Sequence, residues 1–158
     1  MTGSANPVAG PYFNFSVPEP TGVVAVLAPA APGLLGLAGV LAPVIATGNT
    51  AVVVASETVP LPAVTLAEVL ATSDVPPGVV NILTGRTAEL APVLAAHMDV
   101  NAIDLTGVPA GDRAALARLA AQNVKRVFAA DDDWAAPPGP ERMLAFLEIK
   151  TVWHPIGI

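Results

Sequence analysis

Cysteine is absent from the 158 residues, which removes disulfides, thiolate metal sites and a thiol nucleophile from this chain. Histidine occurs only as His97 and His154, which argues against a histidine-built metal centre. Charge is sparse: 13% of residues carry one, the net charge is −6, and the seven Lys and Arg are scattered from Arg86 onward. Without a row of cations to neutralise phosphates, no nucleic-acid partner is expected. Between Pro20 and Ser56 there is no charge at all, so a membrane span has to be weighed. Pro29, Pro32 and Pro43 interrupt that stretch, and its longest proline-free piece, Val44 to Ser56, is thirteen residues where a spanning helix needs about twenty. The opening MTGSANPVAG lacks a basic segment followed by an apolar one, so no signal peptide is read. The expectation is a cytoplasmic protein with no membrane partner.

What is present is apolar material, 53% of the chain, enough for one domain that buries roughly 70% of its unfolded surface. Five β-rich runs, Val23–Leu27, Thr50–Val54, Val79–Leu83, Ala102–Leu105 and Val124–Phe128, alternate with four helical patterns. Near-continuous Val, Ile and Leu is what a parallel sheet covered on both faces requires. The first helix follows Gly33 with Leu34, Leu37, Ala38 and Leu41 on one face. The second aligns Ala63, Leu66, Ala67 and Leu70, and the third Leu90, Val93, Leu94 and His97, with Pro92 tolerable only in a first turn. The fourth runs from about Arg113 to Gln122. This alternation predicts an α/β fold: a Rossmann-like, doubly wound parallel sheet of about five strands with helices on both faces.

The pattern changes at both ends. Tyr12, Phe13 and Phe15 in PYFNFSVPEP predict an amino-terminal strand or hairpin covering the sheet. AADDDWAAPPGP reads as an acidic, proline-rich linker, and beyond it Leu147, Ile149, Thr151 and Trp153 fall on one face of a strand. That strand needs a sheet edge, in this subunit or in a neighbour. The expected divisions are an extension at 1–18, the α/β domain at 19–128, a linker at 129–142 and an association strand at 143–158. Phe146, Leu147, Ile149, Thr151 and Trp153 are its candidate interface residues.

The segments EPTGVVAVLAP, GLAGVLAPVIATGNTAVVVASETVPLPAVTLAEVL, VPPGVVNILTG and HMDVNAIDLTG resemble the aldehyde dehydrogenase superfamily, in unbroken order from about Glu19 to Val127. FLEIKTVW resembles that family's last strand, which adds to a partner subunit's sheet. The whole most resembles the degenerate second domain of the two-domain enzymes called aldehyde dehydrogenase 16. The resemblance implies NAD(P)-dependent oxidation of aldehydes through a cysteine thiohemiacetal, and it marks departures from that chemistry. The catalytic domain that follows the fifth strand in the family is missing here. Ala130 stands at the family's general-base glutamate, Ala31 at its oxyanion-binding asparagine, and Val54 at its ribose-contacting lysine, while Glu57 and Gly107 remain. In the phosphate loop Pro109 removes an amide donor. Asp112 holds the second glycine's place, where it is expected to cap the fourth helix and repel a pyrophosphate.

These departures lead to the expectation of a non-catalytic family member that binds no cofactor, NAD(P) included, and holds no metal. It would act as a structural or regulatory partner, in a homo-oligomer or with a catalytic aldehyde dehydrogenase. The alternative reading is a residual NAD(P)-binding module or a fragment of an NAD(P)-dependent aldehyde oxidoreductase. A half-enzyme borrowing a cysteine from another chain is a further possibility.

Overall fold

The computed structural model describes residues 2–157. In chain order the elements are β1 (Ser4–Asn6), β2 (Tyr12–Pro20), β3 (Val23–Leu27), α1 (Gly33–Ala46), β4 (Thr50–Val54), α2 (Leu61–Ala71) and β5 (Val80–Leu83). Then follow α3 (Thr87–Ala96), β6 (Ala102–Asp104), α4 (Ala110–Ala120), a 3-10 turn (Ala121–Asn123), β7 (Arg126–Phe128), α5 (Glu141–Ala145) and β8 (Leu147–Pro155). Five strands form one parallel sheet in the order β5-β4-β3-β6-β7. The apolar runs of β3 and β4 lie at its centre, where burial on both faces leaves no place for polar alternation.

Each face has its own core. On one, Leu37, Val40 and Val44 of α1 and Ala63 of α2 meet Val24, Val26 and Val53. On the other, Ala91 and Ala95 of α3 and Leu116 and Ala120 of α4 meet Ala25, Leu27 and Ile103. The doubly wound fold read from the sequence is therefore the observed one. No helix among the described residues is long and apolar enough to cross a membrane.

Local details depart from the periodicity. Helix α1 continues through Pro43 and α3 through Pro92, its sixth residue. Each proline removes one internal donor, but apolar contact with the sheet outweighs that loss. After Pro43, the Thr47 hydroxyl donates to the carbonyls of Pro43 and Val44 at 2.9 Å and closes the helix end. The buried stripe of α3 is Ala91 and Ala95 rather than Val93 and His97, both of which are exposed. Small residues there bring the helix backbone close to the sheet, a preference that hydrophobicity alone does not encode.

The amino-terminal hairpin does not cover the main sheet. It pairs with β8 in a separate antiparallel sheet of order β1-β2-β8, with nine partnered residues from Tyr12–Pro155 to Pro20–Leu147. The terminal strand thus finds an edge within its own subunit. Tyr12 and Trp153 meet edge to face at 5.9 Å across this pair.

Val124 adopts a left-handed conformation (φ 59°) while 89% exposed. A β-branched side chain there costs roughly 1–2 kcal/mol and contributes no packing in return. Val124→Asn is expected to raise stability by about 1 kcal/mol, read as a higher urea midpoint with unchanged slope.

Candidate functional site

Sheet order reverses between β3 and β6, and in open α/β sheets ligands bind beyond the carboxyl ends at such a point. Here the Gly107 amide donates to the Leu27 carbonyl at 2.9 Å, joining the turn after β6 to the end of β3. A Cβ on Gly107 would overlap the Leu27 and Ala28 carbonyl oxygens, so only glycine permits this approach. Ser56, after β4, donates to the Ala30 carbonyl at 3.2 Å and accepts the Val59 amide at 3.1 Å. The loops after β3, β4 and β6 are thereby tied into one rim.

Glu57 is exposed on that rim, and its carboxylate accepts the Thr87 amide at the start of α3. The charge faces a helix amino terminus, where it is favoured. Val54 is buried in the core on the α3–α4 side, and Ala31 is exposed before α1. The Ala130 carbonyl accepts a bond from Arg113 at 3.4 Å. Helix α4 begins at Ala110 with Pro109 as its cap residue and no side-chain capping hydrogen bond. Asp112 lies exposed in the first turn and donates its own amide to the Pro109 carbonyl, so it does not cap the helix as expected. Proline at the cap position leaves the chain entering from a conformation in which the aspartate has already passed the terminus.

Three polar residues at this rim were not singled out from the sequence. Asp104, at the end of β6, is fully buried and paired with Arg142 of α5, which is 7% exposed at its side chain. Burial pushes the Asp104 carboxyl up from its ordinary range, while the Arg142 guanidinium and contacts to Thr106 pull it down. Arg113 bonds the Val108 carbonyl at 2.8 Å and Asp131 at 2.7 Å. The aspartates after β7 stay exposed, yet each has a partner: Asp131 holds Arg113, Asp132 holds Arg142, and Asp133 accepts the Ala135 amide. A lone acid inside an otherwise apolar strand, as in NAIDL, was the one available signal of a buried partner.

Of the candidate interface residues, Ile149 and Trp153 are 69% and 59% exposed, Thr151 is exposed and Leu147 is half-buried. Phe146 is different. It is wholly buried in the subunit's own core, 6.0 Å from the Phe128 ring, because the chain turns inward there before β8 begins. It is therefore not presented to a partner.

A sequence model of the aldehyde dehydrogenase family matches residues 1–130. The chain belongs to that family. It is 33% identical over 127 residues to aldehyde dehydrogenase, cytosolic 1, of Elephantulus edwardii, covering 80% of this chain and 25% of that protein. It is 39% identical over 120 residues to hydroxyisobutyraldehyde dehydrogenase of Mycolicibacterium austroafricanum, covering 76% of this chain and 24% of that one. It thus spans about a quarter of these relatives' length. Among solved structures, betaine aldehyde dehydrogenase of Staphylococcus aureus in complex with NAD+ superposes with a TM-score of 0.72 at 26% identity, over 82% of this chain and 26% of the enzyme. The NAD+ complex of aldehyde dehydrogenase from Bacillus cereus gives 0.76 at 27% identity, over the same shares.

These complexes overturn the expectation that this family member has no cofactor: the fold it shares is one that holds NAD+ in its solved relatives. One structural premise behind that expectation has also failed, since Asp112 does not cap the α4 terminus, while Pro109 and the exposed Asp112 carboxylate remain at that terminus. Glu57 and the Thr106–Gly107 turn, the cofactor-side positions that the resemblance implies, lie at the carboxyl ends of β4 and β6, where Glu57 accepts the Thr87 amide and Gly107 donates to Leu27. Among the described residues, no three His, Asp or Glu are grouped as metal ligands.

Proposed function

We propose that this chain is a non-catalytic member of the aldehyde dehydrogenase family. It takes NAD(P) in the switch-point crevice and associates through β8 with a second copy or with a catalytic aldehyde dehydrogenase. The observation that carries the reading is the path from β7 to β8. In the family, by the resemblance of these segments, a cysteine-bearing domain follows the fifth strand. Here residues 129–146 return across the domain and insert Phe146 into its core. With no cysteine, and alanine at positions 31 and 130, the chain offers no nucleophile, oxyanion side chain or general base at the family positions. The uncapped α4 terminus and close-packed Gly107 support nucleotide binding, as do the NAD+ complexes of the relatives.

Association is supported by the outer edge of β8, which ends its sheet and carries exposed Ile149 and Trp153. Native mass spectrometry is expected to show a dimer, or a complex once a catalytic aldehyde dehydrogenase is added. Ile149→Lys with Trp153→Asp is expected to weaken it at least about tenfold. Monomer under both conditions would defeat the association. NADH formation from aldehyde by the purified chain would defeat the non-catalytic reading, and calorimetric titration with NAD+ and NADP+ tests the cofactor.

The quarter-length match favours a second reading, a segment of a longer NAD(P)-dependent aldehyde oxidoreductase. The mass of the native protein, compared with this chain's 15.9 kDa, distinguishes the two.

A further inference from the structure

Arg142 joins parts of the molecule that the sequence keeps far apart. Its Nη1 donates to Asp104, 38 residues earlier, and to the Thr106 hydroxyl at 3.0 Å. Its Nη2 donates to Asp132 at 2.5 Å, and the guanidinium carbon stands 4.7 Å from the centroid of the Phe128 ring. Asp104 in turn accepts the Thr106 amide at 2.9 Å, so the ion pair holds the turn by both backbone and hydroxyl. The next residue is Gly107, whose amide is fixed to β3. Four residues beyond Arg142 lies buried Phe146, and β8 follows immediately. A single side chain therefore links the Thr106–Gly107 turn to α5, just ahead of β8.

We infer that Arg142 is a positioning residue that locks the Thr106–Gly107 turn to the α5–β8 root, so that crevice occupancy and docking of residues 129–146 strengthen each other. The inference rests on the reading that NAD(P) occupies the crevice. The physical basis is shared order. With Arg142 in place, fixing the turn also fixes the guanidinium, Asp132 and the start of α5. By linkage, whatever nucleotide binding does for the segment, segment docking does for nucleotide binding. The planar fork matters because donors from two nitrogens reach three acceptors at once, which an ammonium on a flexible stem does not reproduce.

The test is hydrogen exchange by mass spectrometry on the full chain, with and without saturating NAD+, alongside calorimetry. The proteins compared are the unmodified chain, Arg142→Lys, and the uncharged double variant Asp104→Asn/Arg142→Met. The double variant retains an acceptor for the Thr106 amide and leaves no buried carboxylate unpaired, which keeps the domain folded. In the unmodified chain NAD+ is expected to slow exchange on the order of tenfold across both 104–110 and 129–146. In the double variant the response is expected at 104–110 only, with NAD+ binding on the order of tenfold weaker. Arg142→Lys is expected to recover part of that affinity. Unmodified-chain affinity in the double variant, or an undiminished response at 129–146, would overturn the inference. If the unmodified chain binds neither NAD+ nor NADP+, the functional reading fails and the lock is judged without ligand. The double variant must then exchange faster at 104–110 as well as at 129–146, and acceleration confined to 129–146 overturns the lock.

Discussion

Phe146→Ala is expected to destabilise the domain by about 3–5 kcal/mol, measured by urea unfolding. The ring has no exposed surface and lies in the core formed by α1, β3 and β4, edge-on to Phe128. Its backbone is held as well. The Phe146 carbonyl accepts the Asn49 side-chain amide at 2.9 Å and the Thr21 amide at 3.2 Å. Asn49 itself is buried, and its side-chain oxygen accepts the Gly22 amide at 2.8 Å. Removing the ring leaves a void beside fixed backbone that cannot collapse into it, which places the cost toward the upper end of such truncations. Because β8 starts at the next residue, exchange along β8 should accelerate in the variant. A loss below about 1 kcal/mol would show that the 129–146 segment is attached to the domain rather than part of its core.

Arg142→Met is expected to cost a similar amount, about 3–5 kcal/mol, through a different cause. The methionine leaves the Asp104 carboxylate buried without its cation. The pH dependence separates this from simple loss of packing. Burial already raises the Asp104 pKa, and the Arg142 charge is the largest opposing influence, so the variant raises it further. An acid whose folded pKa lies above its unfolded value, roughly 4, favours the folded state below that value and loses this contribution as pH rises through the folded pKa. The deficit of Arg142→Met should therefore be largest near neutral pH and shrink on acidification. Asp104→Asn/Arg142→Met should lose less than half as much as the single variant at neutral pH, because no charge is stranded. A pH-independent deficit shared by both variants would assign the whole effect to packing.

Much of the fold was legible because it depends on local chemistry. The Val-rich runs at 23–27 and 50–54 became β3 and β4 with those bounds, since a strand buried on both faces announces itself by unbroken apolar, β-branched sequence. The run read as 124–128 shortened to Arg126–Phe128, where Val124 turned left-handed and Lys125 was drawn to the His97 carbonyl. Pro43 and Pro92 misled for a related reason: helix propensity is a local quantity, and packing on the sheet overrode it.

The site was less legible. Glu57 and Gly107 were singled out by the family resemblance alone, and the carbonyls that force glycine at 107 come from residues 27 and 28, distant in sequence. Asp112 was assigned to the α4 cap on type and spacing, and a difference of one turn in the helix start undid that assignment. Asp104 gave one signal, as a lone acid in an apolar strand, and Arg142 gave none; that the two meet is a tertiary fact.

By itself the sequence determined the layered α/β architecture, the family frame, and the absence of a thiol nucleophile, because hydrophobic period and residue identity are properties of single segments. Only the tertiary structure decided that β8 pairs with β2 and that Phe146 belongs to the core rather than to an interface. It also decided that the Arg142 guanidinium of α5 meets Asp104 and Thr106 at the end of β6. Those outcomes depend on contacts between residues dozens of positions apart, for which chain spacing carries no geometric information.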